Sequence, residues 1–352
     1  MSLEALSPVV AAEELTALTA GMPTPIAMTG ATGFVGSHVA EALVAAHLRP
    51  RVLVRDPGRL LATLVPDCDV VVGGLDDLVA LRALVAGARV VLHLAGVVRA
   101  PRAAGFDTAN RVGTDNVLAA MAAAAPDARV VYVSSLAAHG PSPDPGGRDP
   151  ELPAAPVSAY GRSKLAGEES VRRGKAPWVV LRPPAIYGPR DIDVLQFFRL
   201  AARGVVPIPA GDRWVSVAHV CDVVRAILAA ARGGADGRTL ALGEPRSRPM
   251  RELVETLAAA GGVEARVVEM PAVLLRVAGF LGDALHGAGF SNVAMTSDKA
   301  AELVVRHWAT RSNSAFATLG LPGFVPFAAG AAHTWGWYRQ AGWLPRATIA
   351  PA

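Results

Sequence analysis

Tyr160-Gly161-Arg162-Ser163-Lys164 sets a phenol and an ammonium four residues apart. On an α-helix, positions i and i+4 share a face, so both groups can point into one cleft. A phenol ionises near pH 10 and is a slow proton donor and acceptor at neutrality. A cation held beside it favours the phenolate, which makes the pair usable as acid–base machinery. The same spacing also occurs on ordinary solvated helix faces, so its surroundings must decide. Upstream, the apolar run Val130–Val133 leads into Ser134-Ser135. That places a hydroxyl at the end of a strand, where it can donate to a carbonyl oxygen gathering negative charge.

A second stretch is Ile26-Ala27-Met28-Thr29-Gly30-Ala31-Thr32-Gly33-Phe34-Val35-Gly36. An apolar run stops at a glycine turn and a helical pattern starts at once. Gly30 permits the tight turn, Gly33 lets backbone approach a pyrophosphate, and Gly36 lets the helix pack against the strand. Taken alone, the glycines equally suit a strand–turn–helix that binds nothing.

Both stretches sit in a repeating pattern. Strand-like apolar runs occur at Ile26–Met28, Val52–Val54, Val70–Val72, Val90–Leu94, Val130–Val133 and Val179–Leu181. Segments of helical period lie between them at Val35–Ala46, Asp77–Ala86, Thr108–Ala125 and Ala159–Arg173. Continuous apolar strands separated by helices predict a parallel sheet covered on both faces. With right-handed crossovers the fold class is α/β, a doubly wound parallel sheet that binds ligands at its strand carboxyl ends. Residues 140–156 hold six prolines and read as a loop at that edge. Beyond Pro183 the elements shorten: helix at Asp193–Ala202, strand at Trp214–Val217, helix at Val220–Ala231, strand at Thr239–Leu242, helix at Met250–Ala260 and strand at Ala265–Val268. The expected division is a leader over 1–24, a dinucleotide-binding domain over 25–182, and a smaller substrate lobe over 183–352 with segments returning to the sheet.

Composition narrows the class. With 352 residues, 52% hydrophobic and only 18% charged, the chain builds a sizeable core and is not disordered. Its net charge of +4 is spread without a Lys/Arg block, which argues against a nucleic-acid partner. Cys68 and Cys221 lie in apolar surroundings and read as buried free thiols. No Cys/His cluster has metal-ligand spacing, so no metal is expected. The N-terminus lacks a basic segment leading into an apolar run, and no run is long enough to span a membrane, so a cytoplasmic protein without integral membrane segment is expected. The segment 271–290 is apolar except for Arg276, Asp283 and His286. Its first reading is a core-packing helix; a lid over a hydrophobic substrate and a membrane-surface helix are the alternatives.

The ordered set of motifs resembles the extended short-chain dehydrogenase/reductase family over roughly residues 25 to 344. Besides the glycine turn, the Ser135 loop and Tyr160-x-x-x-Lys164, the set includes His93-Leu94-Ala95-Gly96 and Asn110-Arg111-Val112-Gly113-Thr114-Asp115-Asn116. Arg182-Pro183-Pro184-Ala185-Ile186-Tyr187-Gly188-Pro189 and Val217-Ala218-His219-Val220-Cys221-Asp222-Val223 follow. The resemblance implies a Rossmann domain with a smaller C-terminal α/β substrate lobe. It implies that Tyr160 is the general acid/base, that Lys164 lowers its pKa and holds the nicotinamide ribose, and that Ser135 polarises the carbonyl. Asn110 matches a position that supports the active site, or is simply a helix cap. Gly30, Thr32, Gly33, Phe34, Val35 and Gly36 are implied to hold the cofactor, with Phe34 and Val35 giving amides to its pyrophosphate. Leu75, Leu94, Ala95 and Gly96 fall on the adenosine side; Pro183, Pro184 and Ile186 flank the nicotinamide. His219 and Asp222 read as structural. A homodimer through the Thr108–Ala125 and Ala159–Arg173 helices is the family expectation.

Two departures refine this. Arg55 follows the second strand where NAD-preferring members carry an acidic residue; it suits a 2′-phosphate and, with Arg59 nearby, favours NADP(H) over NAD(H), although Asp56 lies next door. Gly74 stands where many members have an adenine-binding aspartate, with Asp76 and Asp77 close by. Ala185 replaces an asparagine common in sugar-nucleotide enzymes, so the pattern is nearest to dihydroflavonol-reductase-like and 3β-hydroxysteroid-dehydrogenase-like members. The expected activity is a ketoreductase or alcohol dehydrogenase for a bulky hydrophobic small molecule. A sugar-nucleotide epimerase or dehydratase with retained NAD is the first alternative, and a non-catalytic nucleotide sensor the second.

Overall fold

A computed structural model describes residues 12–100, 102–287, 295–311 and 313–345. In chain order its first part contains α1 (Ala12–Thr19), β1 (Ile26–Thr29), α2 (Phe34–Ala45), β2 (Arg51–Val54), β3 (Asp69–Val72), α3 (Leu78–Val85), β4 (Val90–His93) and α4 (Ala103–Asp107). After a π-helical turn (Thr108–Val112) come α5 (Gly113–Ala124), β5 (Arg129–Val133), α6 (Leu136–His139), α7 (Ala159–Arg173) and β6 (Trp178–Arg182). The second part runs β7 (Ala185–Tyr187), α8 (Leu195–Ala202), β8 (Val205–Pro209), β9 (Trp214–Val215), β10 (Val217–His219), α9 (Val220–Arg232) and β11 (Arg238–Ala241). It closes with β12 (Arg248–Pro249), α10 (Met250–Ala260), β13 (Arg266–Met270), α11 (Ala272–Gly287), α12 (Ser297–Leu303), β14 (His307–Trp308), α13 (Asn313–Thr318) and α14 (Phe327–Gln340).

Seven strands form one parallel sheet in the order β11-β6-β5-β4-β1-β2-β3. The order reverses between β1 and β4, and at such a switch point the flanking loops open a crevice outside the sheet. Alternation along β1 explains the two covered faces. Ile26 and Met28 pack with Val39, Leu43 and Ile227 on one side, while Ala27 packs with Leu81, Leu84 and Val117 on the other. The second part returns β11 and the almost wholly buried α9 to this sheet. A third core gathers Phe198, Leu257, Trp335 and Tyr338 from α8, α10 and α14.

Several elements depart from the sequence expectation. The leader is helical over α1, where Leu15 and Leu18 are buried and Glu14 pairs with Arg225 of α9; residues 1–11 lie outside the described residues. The expected helix Thr108–Ala125 begins as a π turn, because an extra residue is accommodated where Asn110 points inward. The expected strand Trp214–Val217 is two strands. Buried Ser216 breaks it, accepting the Thr310 amide at 3.1 Å as the chain passes from β9 to β10. Cys68 and Cys221 are free and buried.

The segment 271–290 is a helix over its described part, but not a core-packing one. Only Leu275, Gly279 and Gly282 are buried, whereas Leu274, Val277, Leu281 and Leu285 face solvent. Its single partner stripe is too narrow to cover the remaining apolar positions. Residues 288–290 lie outside the described residues.

Buried imidazoles give the fold an acid sensitivity. Burial lowers His38 and His93 to about 3 and His139 to about 4, and takes His219 well below its ordinary value. The unfolded chain protonates these groups near pH 6.5, whereas the folded chain does not until far lower pH. The unfolded state therefore binds more protons in that window, and stability falls as pH drops through 6.5. Asp191 and Asp222, which burial raises, bind protons in the folded state and offset part of the loss. We expect a melting temperature lower by roughly 5–10 °C at pH 5.0 than at pH 7.5. Scanning calorimetry would show otherwise if these imidazoles were charged in the folded protein.

Candidate active site

The site is built at the carboxyl ends of β1, β4, β5 and β6. At the end of β1, Gly30 adopts a φ of +81°, and a Cβ there would stand 2.7 Å from the Ala95 amide nitrogen. A Cβ on Gly36 would stand 2.0 Å from the Gly30 carbonyl oxygen. Only glycine at both positions lets the turn, the β4 loop and α2 meet this closely. Gly33 is the N-cap of α2 and no side chain caps that end. The first-turn amides of Phe34, Val35 and Gly36 thus remain available to an anion, with the helix dipole behind them. Thr32 is half-buried within the turn.

A buried polar chain fixes the neighbouring loop. Thr29 Oγ1 accepts the Ala95 amide at 3.2 Å and lies 2.7 Å from His93 Nδ1; His93 Nε2 lies 3.0 Å from Thr114 Oγ1, which donates to the Asn110 carbonyl at 2.7 Å. A neutral His93 satisfies every member, in keeping with the lowering of its pKa by burial. Leu94 and Ala95 are half-buried and Gly96 is exposed at the sheet edge. On the β2 side, Arg55 and Arg59 are exposed and have no carboxylate partner among the described residues. Asp56 instead turns to the Gly58 amide at 3.0 Å, and Asp77 caps α3 through the amides of Val79 and Ala80. Leu75 packs against Gly113, and its carbonyl accepts Asn116 Nδ2 at 2.8 Å.

Ser135 caps the short α6, its Oγ accepting the Ala137 amide at 3.1 Å. Its hydroxyl also hydrogen-bonds the phenol of half-buried Tyr160 at the head of α7. Burial pushes that phenol up to about 12, and the Ser135 contact works against the rise. The sequence expectation gave this opposing part to Lys164, and here the structure differs. Lys164 Nζ donates to the Val133 carbonyl at 2.7 Å and lies 4.3 Å over the Tyr132 ring. A buried ammonium needs an acceptor, and the strand-end carbonyl supplies it. Burial takes Lys164 down to about 7, with Glu168 opposing.

Asn110 is fully engaged. Its Oδ1 accepts the Val97 amide at 2.8 Å; its Nδ2 donates to the Val97 carbonyl at 3.0 Å and to Ser163 Oγ at 2.9 Å. It clamps the β4 loop to the helix that carries Tyr160 and Lys164. The three elements converge at Gly96, where a Cβ would meet Asn110 Oδ1 at 2.7 Å and Lys164 Nζ at 3.7 Å. Beyond β6, Pro183 and Pro184 are buried, Ile186 is half-buried and Ala185 is exposed; the Pro183 carbonyl accepts the Leu136 amide at 2.8 Å. His219 caps α9, and Asp222 pairs with Arg225 while accepting the Val325 amide.

Sequence reasoning missed two groups. Asp298 of α12 accepts the Ala159 amide at 2.5 Å and the Tyr160 amide at 3.4 Å, while Glu302 accepts from Ser158 Oγ at 2.8 Å. They cap the catalytic-type helix from the far end of the chain, and no local pattern announces them. The second is Glu168, which is wholly buried. It accepts from Ser134 at 2.5 Å, from Arg172 at 2.5 Å, and from Arg182 through two hydrogen bonds of 2.9 and 2.7 Å. A charged residue four positions from Lys164, on the inward stripe of α7, was the available signal.

A doubly wound sheet with an uncapped, glycine-lined helix terminus and a hydroxyl–phenol–ammonium group at one edge defines a dinucleotide-dependent oxidoreductase. The model of the NAD dependent epimerase/dehydratase family matches residues 26–243, and the chain belongs to that family, within the extended short-chain dehydrogenases/reductases. The chain is 38% identical over 335 residues to the ceramide reductase of Caulobacter vibrioides, covering 92% of this chain and 98% of that protein. It is 30% identical over 277 residues to the 4-hydroxy-2-methyl-3-oxo-4-farnesyl-3,4-dihydroquinoline-1-oxide ketoreductase of Stigmatella aurantiaca, covering 74% and 80%. A Thermus thermophilus UDP-glucose 4-epimerase solved with NAD superimposes with a TM-score of 0.71 at 21% identity, over 90% of this chain and 99% of that one; at this distance it shows the fold.

Proposed function

We propose that the enzyme is an NADP(H)-dependent ketoreductase whose substrate is a bulky hydrophobic ketone, specifically a ketone of a ceramide-class lipid. The observation that carries this reading is the hydroxyl pair Ser135–Tyr160 at the β5 end, with Lys164 beneath it and the open α2 terminus beside it. The relative named ceramide reductase supports the substrate class.

The residues present fit a dinucleotide. The glycine cradle at Gly30 and Gly36 leaves the α2 amides open for a pyrophosphate, and Gly96 keeps the space beside Lys164 clear. When bound, the nicotinamide supplies the hydride. Ser135 donates to the ketone oxygen and steadies the charge gathering there; Tyr160 gives that oxygen its proton. Lys164 holds the ribose hydroxyls, and Asn110 keeps the β4 loop and α7 in register. Leu75, Leu94 and Ala95 wall the adenosine, while Pro183, Pro184 and Ile186 back the nicotinamide. Arg55, exposed and without a carboxylate partner among the described residues, takes the 2′-phosphate; Asp56 is committed to Gly58. Exposed Ala185 offers no hydrogen bond to a sugar nucleotide, which weighs against an epimerase.

Following NADPH oxidation with a long-chain lipid ketone, against dTDP- and UDP-sugars, tests the substrate class. Turnover of the sugar nucleotides alone would overturn it. For the cofactor, Arg55→Asp should cut kcat/KM for NADPH by about 10–100-fold, the worth of a charge-assisted phosphate contact, and spare NADH. Equal losses with both cofactors would remove Arg55 from the 2′-phosphate.

A further inference from the structure

We propose that the Tyr132 ring is the platform that holds the Lys164 ammonium and aims it at the cofactor ribose, which makes Tyr132 a positioning residue of the site. The proposal rests on the reading of this site as a dinucleotide-dependent ketoreductase and adds what directs Lys164.

Alternation along β5 divides its side chains between the two faces of the sheet. Val131 and Val133 join the core on one face, while Val130 and Tyr132 turn to the other, against Val117 and Met121 of α5 and Val171 of α7. The buried members of that second core are otherwise Val, Leu, Ala and Met, so packing alone asks only for an aliphatic side chain at 132. A tyrosine instead carries an oxygen into a dry interior, and α7 makes room for it. A Cβ on Gly167 would collide with the Tyr132 hydroxyl.

What the ring supplies is a face. Lys164 Nζ lies 4.3 Å over its centroid, and both residues are buried. The face of an aromatic ring is partially negative and attracts a desolvated cation more strongly than a hydrated one. An ammonium has N–H donors in three directions. One meets the Val133 carbonyl at 2.7 Å, and the ring takes a second. The third is left for the exposed edge at Gly96, where a Cβ would stand 3.7 Å from Nζ and glycine keeps the space clear. Tyr132 and Val133 are neighbours on one strand, so β5 itself fixes the two contacts relative to each other. The platform is backed in turn by His93 of β4, held at both ring nitrogens, with its centroid 5.4 Å from that of Tyr132. The titratable groups facing the pair are His93 on β4 and Tyr160 and Glu168 on α7. Burial keeps His93 neutral, so no second cation competes for the ring.

The test is fluorescence titration with NADPH, without ketone, of Tyr132→Leu, Tyr132→Phe and Lys164→Met, with circular dichroism as the check on folding. Tyr132→Leu keeps an apolar side chain but loses the face, and should weaken NADPH binding by about tenfold at pH 7.5, the worth of a desolvated cation–π contact. Tyr132→Phe keeps the face and should stay within about threefold of the wild type. Loss of the face also favours the neutral amine, so the Tyr132→Leu deficit should shrink on acidification to pH 6.5, which recharges it. Adding Tyr132→Leu to Lys164→Met should cost no further affinity, because Tyr132 acts through the ammonium. Equal binding by Tyr132→Leu and the wild type overturns the proposal, as does an equal deficit in Tyr132→Leu and Tyr132→Phe. A full further loss in the Lys164→Met background overturns it too, by assigning the effect to packing. Should Tyr132→Leu not fold, fluorination of the ring in Tyr132→Phe decides. It drains the face while holding the shape, so affinity should fall with each fluorine, and unchanged affinity overturns the proposal. Failure of the ketoreductase reading is distinct: the variants would keep this order of NADPH affinity while no ketone is reduced.

Discussion

Tyr160→Phe should lower NADPH-dependent ketone reduction by about a thousandfold while changing cofactor affinity less than threefold, the range expected for loss of a positioned general acid. The substitution removes one oxygen and keeps the ring. The ring's packing near Phe106, 6.0 Å between centroids, is retained, as is the Asp298 cap on the backbone. Ser135 loses its phenol partner but still caps α6 through the Ala137 amide. The fold should be undisturbed, so the loss belongs to the proton. Burial holds the phenol up at about 12, which keeps it protonated at neutral pH and ready to donate to a forming alkoxide. Steady-state turnover together with a fluorescence titration of NADPH makes the measurement. Turnover within tenfold of wild type would assign the proton to another group.

The legibility of this site follows from the range over which each feature is determined. The Gly30–Gly36 turn and the Tyr160–Lys164 spacing are local patterns, and the hand-over from β1 to α2 falls where the glycines put it. Ala159–Arg173 and Met250–Ala260 have the helix limits their periodicity predicts. Ser135 was legible because a strand's end is visible in sequence. What escaped depends on contacts distant in the chain. Asp298 and Glu302 reach α7 from about 140 residues away. The π turn at Asn110 gains its reason only when Val97 and Ser163 are seen on either side. Lys164 was placed on the correct face, but i,i+4 spacing does not say which acceptor a long side chain will choose. The acceptor it takes is the Val133 carbonyl of β5, 31 positions back in the chain. For α11 the period was readable and the burial was not, since a narrow apolar stripe meant for α12 and a wide one facing outward look alike in sequence.

Glu168 supplies the second large effect, through stability. Its carboxylate is the hub of a network with Ser134, Arg172 and Arg182, in which Arg182 is also buried and is held by two hydrogen bonds. Burial works to raise its pKa, but the arginines and Ser134 prevail and hold it below the ordinary value. Glu168→Ala leaves the Arg182 guanidinium buried without its counter-charge, at a cost of about 3–5 kcal/mol and a melting temperature lower by roughly 10 °C. Glu168→Gln keeps the shape and part of the hydrogen bonding and should fall between. A second consequence separates this role from a purely structural one. Glu168 is also the charge that opposes burial at Lys164, which stands at about 7. Without that carboxylate the ammonium deprotonates at lower pH. In Glu168→Gln the KM for NADPH at pH 7.5 should rise several-fold and recover on acidification to pH 6.5. If KM rises equally at both values, Glu168 supports the sheet edge alone; if it recovers, the buried carboxylate also keeps Lys164 charged for the cofactor.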